Sequence, residues 1–331
     1  MQENIIQVRD LKVYYPIRSG VAQRVSGYVK AVDGVSFSIE QGSTMALVGE
    51  SGCGKSTTGR AIINLTPKTS GDVLFKGQEV YQNTREEMRR LRPRMQIIFQ
   101  DPYSSLSPRL PIGELIGEAV AEHSIVPKNQ YQEYITKVMD DCGLPAYYKQ
   151  RYPHEFSGGQ RQRIAIARAI ALNPEFIVCD EPVSALDVSI QAQIINLLID
   201  LQKERGLTYL FISHDLSVVQ HISDYVAVMY LGNIVEYGPT AKIFARPQHP
   251  YTQALFSAIP VPDPEAKMKR IILQGSLPSP ANPPAGCKFH TRCPYAMEQC
   301  KTQAPEMQNG VACHLSRAKS FNFEIIKNNH E

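Results

Sequence analysis

The stretch STMALVGESGCGKSTTGRAIINL (43–65) restricts this chain more than any other. A mostly apolar run, STMALVG, enters a glycine-rich loop, and the loop meets TTGRAIINL, which has helical character; the order is strand, loop, helix. The loop itself, GESGCGKST (49–57), fits G-x-x-x-x-G-K-[ST], with Gly49, Gly54, Lys55 and Ser56 in the fixed places. Glycines let a backbone wrap closely around phosphate oxygens with its N–H groups pointing inward. The helix that follows presents its positive end to the same anion. Lys55 is then expected to reach the β- and γ-phosphates, and Ser56 to ligate Mg²⁺. Glu50, Ser51, Gly52, Cys53 and Thr57 complete the loop, with Cys53 read as a small filler rather than a redox sensor. The competing reading is a chance glycine-rich turn; the strand before it and the helix after it argue against that.

The rest of the chain supplies the matching architecture. IIQVRDLKVYYPI and VKAVDGVSFSIE, within the first 40 residues, are rich in β-branched and aromatic residues and predict antiparallel β structure. EFIVCDE (175–181) and TYLFISHD (208–215) have the continuous hydrophobicity of buried parallel strands. Between them IQAQIINLLIDLQKERG has helical spacing and ends on Gly206. Strands alternating with helices predict an α/β sheet. Residues 101–173 carry long helical patterns and no strong strand, which predicts a helical subdomain inserted between sheet strands. Beyond 246 the segments RPQHP, IPVPDPE and SLPSPANPPAG are proline-dense and predict a linker followed by a small irregular unit.

A second acidic site is expected at FIVCDEP. Asp180 and Glu181 stand at the end of a buried strand, where the first acid suits Mg²⁺ and the second suits a general base acting on water. Read alone, they are as readily a solvated strand-end pair; the phosphate loop is what tips the balance. His214, at the end of the next strand, is placed to approach a γ-phosphate, although a lone histidine is more often structural.

FSGGQRQRIAIARAI (156–170) brings these pieces together. It resembles the signature sequence of ABC-transporter ATPases, usually LSGGQ, with Phe156 in place of leucine. Other stations of that family follow its order: Gln100 in IIFQDP, Asp187 closing SALD (184–187), and His214 in SHD. Tyr14 or Tyr15 is the aromatic expected to stack on adenine, with Tyr15 favoured by position. The resemblance implies an α/β fold: an ABC-type P-loop ATPase with a RecA-like core, an antiparallel β subdomain and the inserted helical subdomain. It implies ATP and Mg²⁺ as ligands, with Ser56, Gln100 and Asp180 around the metal and Glu181, His214 and Gln100 in catalysis. Ser157, Gly158, Gly159 and Gln160 form a further backbone-donor surface at a helix start, suited to phosphate. In the family this surface meets ATP held by the other subunit, so the resemblance implies a head-to-tail pair that closes on ATP.

HPYTQAL (249–255), GSLPSPANPPAGCKFHTRCP (275–294) and EPVSALDVSIQAQ (181–193) are similar to the ATPase subunits of oligopeptide and dipeptide importers. The division implied is an ABC ATPase domain over 1–245 and a transporter-type C-terminal extension over 246–331. The partners implied are a second ATPase subunit, identical or related, two membrane permeases, and an extracellular peptide-binding protein engaged through them. Related importers carry nickel or other solutes, and the cargo stays open at this point, as does a non-transport ABC ATPase. Such ATPases in translation usually carry two cassettes, and those in repair carry long coiled coils; neither feature is present. A metal-binding regulator that uses nucleotide only as a signal is disfavoured by Glu181 and His214.

Composition fits a subunit on the cytoplasmic face of a membrane. The net charge of +3 is too small to point to nucleic acid. No run of about 18 apolar residues occurs, and the N-terminus lacks the layout of a signal peptide. Seven cysteines in a cytosolic chain read as thiols, redox groups or metal ligands rather than structural disulfides. Four of them, Cys287, Cys293, Cys300 and Cys313, fall within 27 residues. Their spacing lacks both the short knuckle usual in zinc sites and the common ferredoxin spacings, so a chance cluster, Zn²⁺ and iron–sulfur all remain open on spacing. The resemblance implies a [4Fe–4S] cluster. Because a proline-rich unit of about 50 residues is marginal on its own core, a metal is expected to staple it.

Overall fold

The computed structural model describes residues 3–21, 23–259 and 270–315. Two sheets organise it. The first is antiparallel and four-stranded, in the order β2-β1-β4-β5, built from β1 (Asn4–Ser19), β2 (Arg24–Glu40), β4 (Ser70–Phe75) and β5 (Gln78–Glu79). The second has six strands in the order β10-β9-β3-β8-β7-β6, from β3 (Thr44–Val48), β6 (Met95–Ile98), β7 (Phe176–Asp180), β8 (Thr208–Ile212), β9 (Tyr225–Tyr230) and β10 (Asn233–Pro239). All of its neighbours run parallel except β9 and β10. Every residue of β3, β7 and β8 is buried, as expected of parallel strands covered on both faces.

This topology explains why the motifs meet. β3, β8, β7 and β6 lie side by side and parallel, so the segments leaving their C-terminal ends converge on one edge, where ligands of open α/β sheets bind. Those segments carry the phosphate loop, His214, the Asp180–Glu181 pair and Gln100.

Between β6 and β7 the chain is helical, as expected. α3 (Pro102–Ser105), α4 (Ile112–Glu122), α5 (Tyr131–Asp141) and α6 (Gly158–Ile170) fill it, with α1 (Lys55–Ile62) and α2 (Arg85–Leu91) preceding them. α6 starts at Ser157, whose hydroxyl accepts from the Gln160 N–H while the Gln160 side chain accepts from the Ser157 N–H. This reciprocal cap satisfies two donors that a helix start leaves orphaned. α7 (Val188–Arg205) is capped by Asp187 and ends at Gly206 with φ +65°, the left-handed stop the sequence predicted. α8 (Leu216–Ile222) and α9 (Thr240–Ala245) complete the cassette.

The tail departs from expectation. It was expected to be a unit with a marginal core of its own, yet it is docked on the cassette. Tyr237 N–H donates to Gly310 O (2.7 Å) and Ala312 N–H to Val235 O (2.9 Å), which lays residues 310–312 along β10. Phe289, 1% exposed, packs on Tyr230 and Tyr251, with ring centroids 5.2 and 5.4 Å away. α10 (Pro250–Phe256) supplies Tyr251, and α11 (Glu298–Thr302) supplies Cys300. Borrowed apolar surface therefore supplies part of the ordering that a metal staple is expected to supply. Most of the IPVPDPE segment lies outside the described residues.

Candidate nucleotide site

The phosphate loop connects the buried β3 to α1. Gly54 has φ +108°, and a Cβ there would stand 2.1 Å from the Ala31 carbonyl oxygen, so only glycine fits. Lys55 is buried, and its ammonium donates to the carbonyls of Gly49 (2.8 Å) and Glu50 (3.1 Å). The cation is thus held inside the loop it would share with a phosphate. Cys53 turns its side chain into the core, and burial pushes its thiol up from the ordinary value; this agrees with a filler role. Ser51 and Gly52 lie on the turn between β3 and α1, and Thr57 lies in the first turn of α1.

The acids of the next strands stand over this loop. Ser56 Oγ donates to Asp180 at 2.5 Å, so the two expected Mg²⁺ ligands are already paired. Asp180 is 1% exposed and also meets the Arg60 guanidinium at 3.3 Å. Glu181 follows in the left-handed region, φ +49°, a strained conformation for a non-glycine residue and one that clusters at functional sites. Its N–H donates to Ile212 O (3.0 Å), which ties it to β8. Its Oε2 accepts from Gln100 Nε2 at 2.9 Å and faces His214 Nδ1 at 3.2 Å. Four strands therefore deliver Ser56, Gln100, Asp180, Glu181 and His214 into one contiguous polar group.

Two predicted parts stand elsewhere. Among the described residues no hydrogen bond links the Ser157–Gln160 surface to the phosphate loop. Gly158 faces Leu186, and a Cβ at Gly159 would stand 2.4 Å from Ile190, so this glycine also serves close packing of α6 on α7. Asp187 caps α7 through the Ile190 N–H. A surface of exposed donors separate from the chain's own phosphate loop can serve a nucleotide held by another chain. Of the two candidate aromatics, Tyr14 turns inward and its hydroxyl is hydrogen-bonded to Asp33, while Tyr15 on the next position is 43% exposed.

The sequence reading missed residues of the tail that touch this site. Tyr251 accepts the Glu50 N–H at 2.9 Å and Arg292 binds the Glu50 carboxylate, while Lys288 binds Asp33, the partner of Tyr14, at 2.8 Å. Burial alone raises the Asp33 carboxyl, but hydrogen bonds from Lys288 and Tyr14 reverse this and leave it below the usual carboxylate range. One signal was available: Glu50 places an acid inside an anion cradle, which calls for a cation from elsewhere in the chain.

The four tail cysteines are thiols that lie within electrostatic reach of one another. Burial pushes Cys287 and Cys293 up to about 11, and the neighbouring thiols push the same way. Cys287 N–H donates to Cys300 O at 2.8 Å. Yet among the described residues no three His, Cys, Asp or Glu side chains are placed to hold a metal ion. The extension is present, but its expected metal site is not formed by this arrangement.

Residues 32–184 match the ABC transporter family, and residues 235–300 match the C-terminal region of oligopeptide/dipeptide transporters. The oligopeptide transport ATP-binding protein AppF of Bacillus subtilis (strain 168) is 55% identical, the match covering 95% of this chain and 98% of AppF. The probable peptide ABC transporter ATP-binding protein y4tS of Sinorhizobium fredii is 50% identical over 95% of this chain and 91% of its own. Among solved structures, cbiO1 of Clostridium perfringens, part of the ABC transporter complex cbiONQ, aligns with a TM-score of 0.63 at 27% identity, covering 74% of this chain and 92% of its own. The ATP-binding cassette MJ0796, solved as a dimer in a post-hydrolysis state bound to ADP and Pi, aligns with a TM-score of 0.63 at 25% identity over 71% of this chain and 98% of its own.

Proposed function

This chain belongs to the ATP-binding subunits of ABC transporters, and from that premise we propose that it hydrolyses Mg-ATP to power import of dipeptides or oligopeptides. The observation that carries the chemistry is the Gln100–Glu181–His214 group standing beside the Ser56–Asp180 pair. Lys55 and the loop amides bind the β- and γ-phosphates, Ser56, Asp180 and Gln100 would hold Mg²⁺, which would offset charge on the phosphates, and Glu181 takes a proton from the attacking water. His214, 3.2 Å from Glu181, orients that carboxylate and faces the γ-phosphate. The exposed Tyr15 stacks on adenine.

The separation of the Ser157–Gln160 surface from the phosphate loop supports a head-to-tail pair in which each chain completes its partner's site. MJ0796 is a dimeric cassette, which supports the same reading. Among the described residues no helix is long and apolar enough to cross a membrane. In the proposed assembly this chain sits peripherally on the cytoplasmic face of two permeases, with an extracellular binding protein delivering cargo. The names of AppF and y4tS and the match over 235–300 favour peptide over nickel or another solute. Hydrolysis by the assembled complex is expected to rise several-fold with a peptide-loaded binding protein; a rise with nickel and none with peptide would reassign the cargo.

For the tail we propose a [4Fe–4S] cluster on Cys287, Cys293, Cys300 and Cys313. Four thiols gathered in one unit, within electrostatic reach of one another, support it, with Zn²⁺ as the alternative occupant. The cluster would stabilise the thiolate forms of Cys287 and Cys293 that burial disfavours, cross-linking four points of the tail. Anaerobically purified protein is expected to contain iron and sulfide in equal amounts, lost in Cys293→Ser; colourless protein holding one zinc would overturn the assignment.

A further inference from the structure

Glu50 is an odd residue for its place. It is the second position of a loop built to receive a polyphosphate, and a carboxylate there repels the ligand. Its polar groups are bound as follows. The backbone N–H goes to the Tyr251 hydroxyl (2.9 Å), so this amide is turned away from the phosphate cradle. The carbonyl accepts from Lys55 (3.1 Å) and from the Cys53 N–H (3.3 Å). The carboxylate oxygens both accept from Arg292 Nη1, at 3.1 and 2.9 Å. Arg292 is only 10% exposed and Glu50 29%, so the pair is largely withdrawn from solvent screening.

The two outside partners come from the tail. Tyr251 and Phe289 pack together with Tyr230, the last residue of β9, at centroid distances of 4.7 to 5.4 Å, and the Arg292 guanidinium lies 5.9 Å from the Tyr230 ring. A rigid aromatic base therefore fixes the position from which Arg292 reaches the loop. When a triphosphate draws the Lys55 ammonium away, the Glu50 carbonyl loses that bond, and Tyr251 and Arg292 remain as its anchors outside the loop.

We propose that Arg292 is a positioning residue for ATP binding, which neutralises Glu50 and pins the entrance of the phosphate loop from the cysteine-rich tail. It rests on the ATP reading above. Arg292 touches no reacting atom, so its loss acts on nucleotide affinity and not on the chemical step.

The test uses the full chain purified anaerobically, with equilibrium Mg-ATP binding and steady-state hydrolysis measured on the same samples. Arg292→Met leaves a partly buried carboxylate without its cation in the phosphate loop and is expected to raise Kd and KM for ATP about tenfold, with kcat within about twofold. Arg292→Lys keeps the charge on a shorter stem and is expected to raise both about two- to threefold. Adding Glu50→Gln to Arg292→Met removes the stranded charge and is expected to recover most of the lost affinity. Unchanged Kd in Arg292→Met, or a double variant no better than it, overturns the proposal. Should Arg292→Met not fold, an Arg292→Lys variant with wild-type Kd and KM overturns it instead. Wild-type protein that binds no Mg-ATP would sink the ATP reading itself, a result distinct from all of these.

Discussion

Replacing Glu181 with glutamine is expected to lower ATP turnover by about 10²- to 10⁴-fold, the usual contribution of a placed general base, while leaving ATP affinity within a few-fold of wild type. The asymmetry follows from where the side chain sits. Glu181 is held by its backbone to β8 and by its carboxylate to Gln100 and His214. None of these partners belongs to the phosphate loop. Glutamine keeps the size and one accepting oxygen, so the polar group survives, but it cannot take a proton. The strained φ of +49° is common to both residues, so the substitution adds no backbone cost. With closing intact and opening dependent on hydrolysis, the variant should also accumulate in its ATP-bound paired state. Phosphate release and equilibrium binding, measured together, check this. Wild-type turnover in the variant would remove Glu181 from the role of base.

Replacing Lys55 with alanine is expected to act on the other quantity. Its ammonium makes two charge-assisted hydrogen bonds to Gly49 and Glu50 in the resting loop and would make comparable bonds to phosphate oxygens. Each such bond contributes about 1.5 to 3 kcal/mol, so ATP affinity should fall by about 10- to 100-fold, with turnover lost at ordinary ATP concentrations. The loop carbonyls also lose their donor, which predicts a modest drop in thermal stability without ligand. Titration with a fluorescent ATP analogue measures the affinity directly. Normal affinity would mean that the loop does not bind phosphate as described.

The legibility of the site in the sequence follows the range of the interactions. The strand–loop–helix over 43–65 and the capped α6 and α7 are local: their signals lie within a few residues of the structure they specify, and they were read correctly. β7 and β8 were readable because strands covered on both faces are apolar throughout. β4 and β6 leave no strand signal in the sequence, being four to six residues long with mixed burial. The β9–β10 hairpin was also passed over, although YVAVMYLGNIVEYG carries two apolar runs around Leu231 and Gly232.

The coupling of the tail to the loop was out of reach for a different reason. Glu50 and Arg292 are 242 residues apart, and no periodicity encodes such a pair. The same holds for Phe289 in its bed of Tyr230 and Tyr251. The tail looked poor in apolar runs because its core is borrowed: one phenylalanine between two cysteines does the docking that a run of leucines does elsewhere. That difference also shifts the expected role of the cysteines, from making the tail fold to fixing a segment whose Arg292 reaches the phosphate loop.

One contiguous polar group, assembled at the ends of four parallel strands, is expected to turn over Mg-ATP. Continuous measurement of phosphate release by the full wild-type chain, with and without chelation of Mg²⁺, tests it most directly. Sustained multiple turnovers that stop when Mg²⁺ is removed are the predicted result. Tight ATP binding with no release, or release indifferent to Mg²⁺, would contradict it.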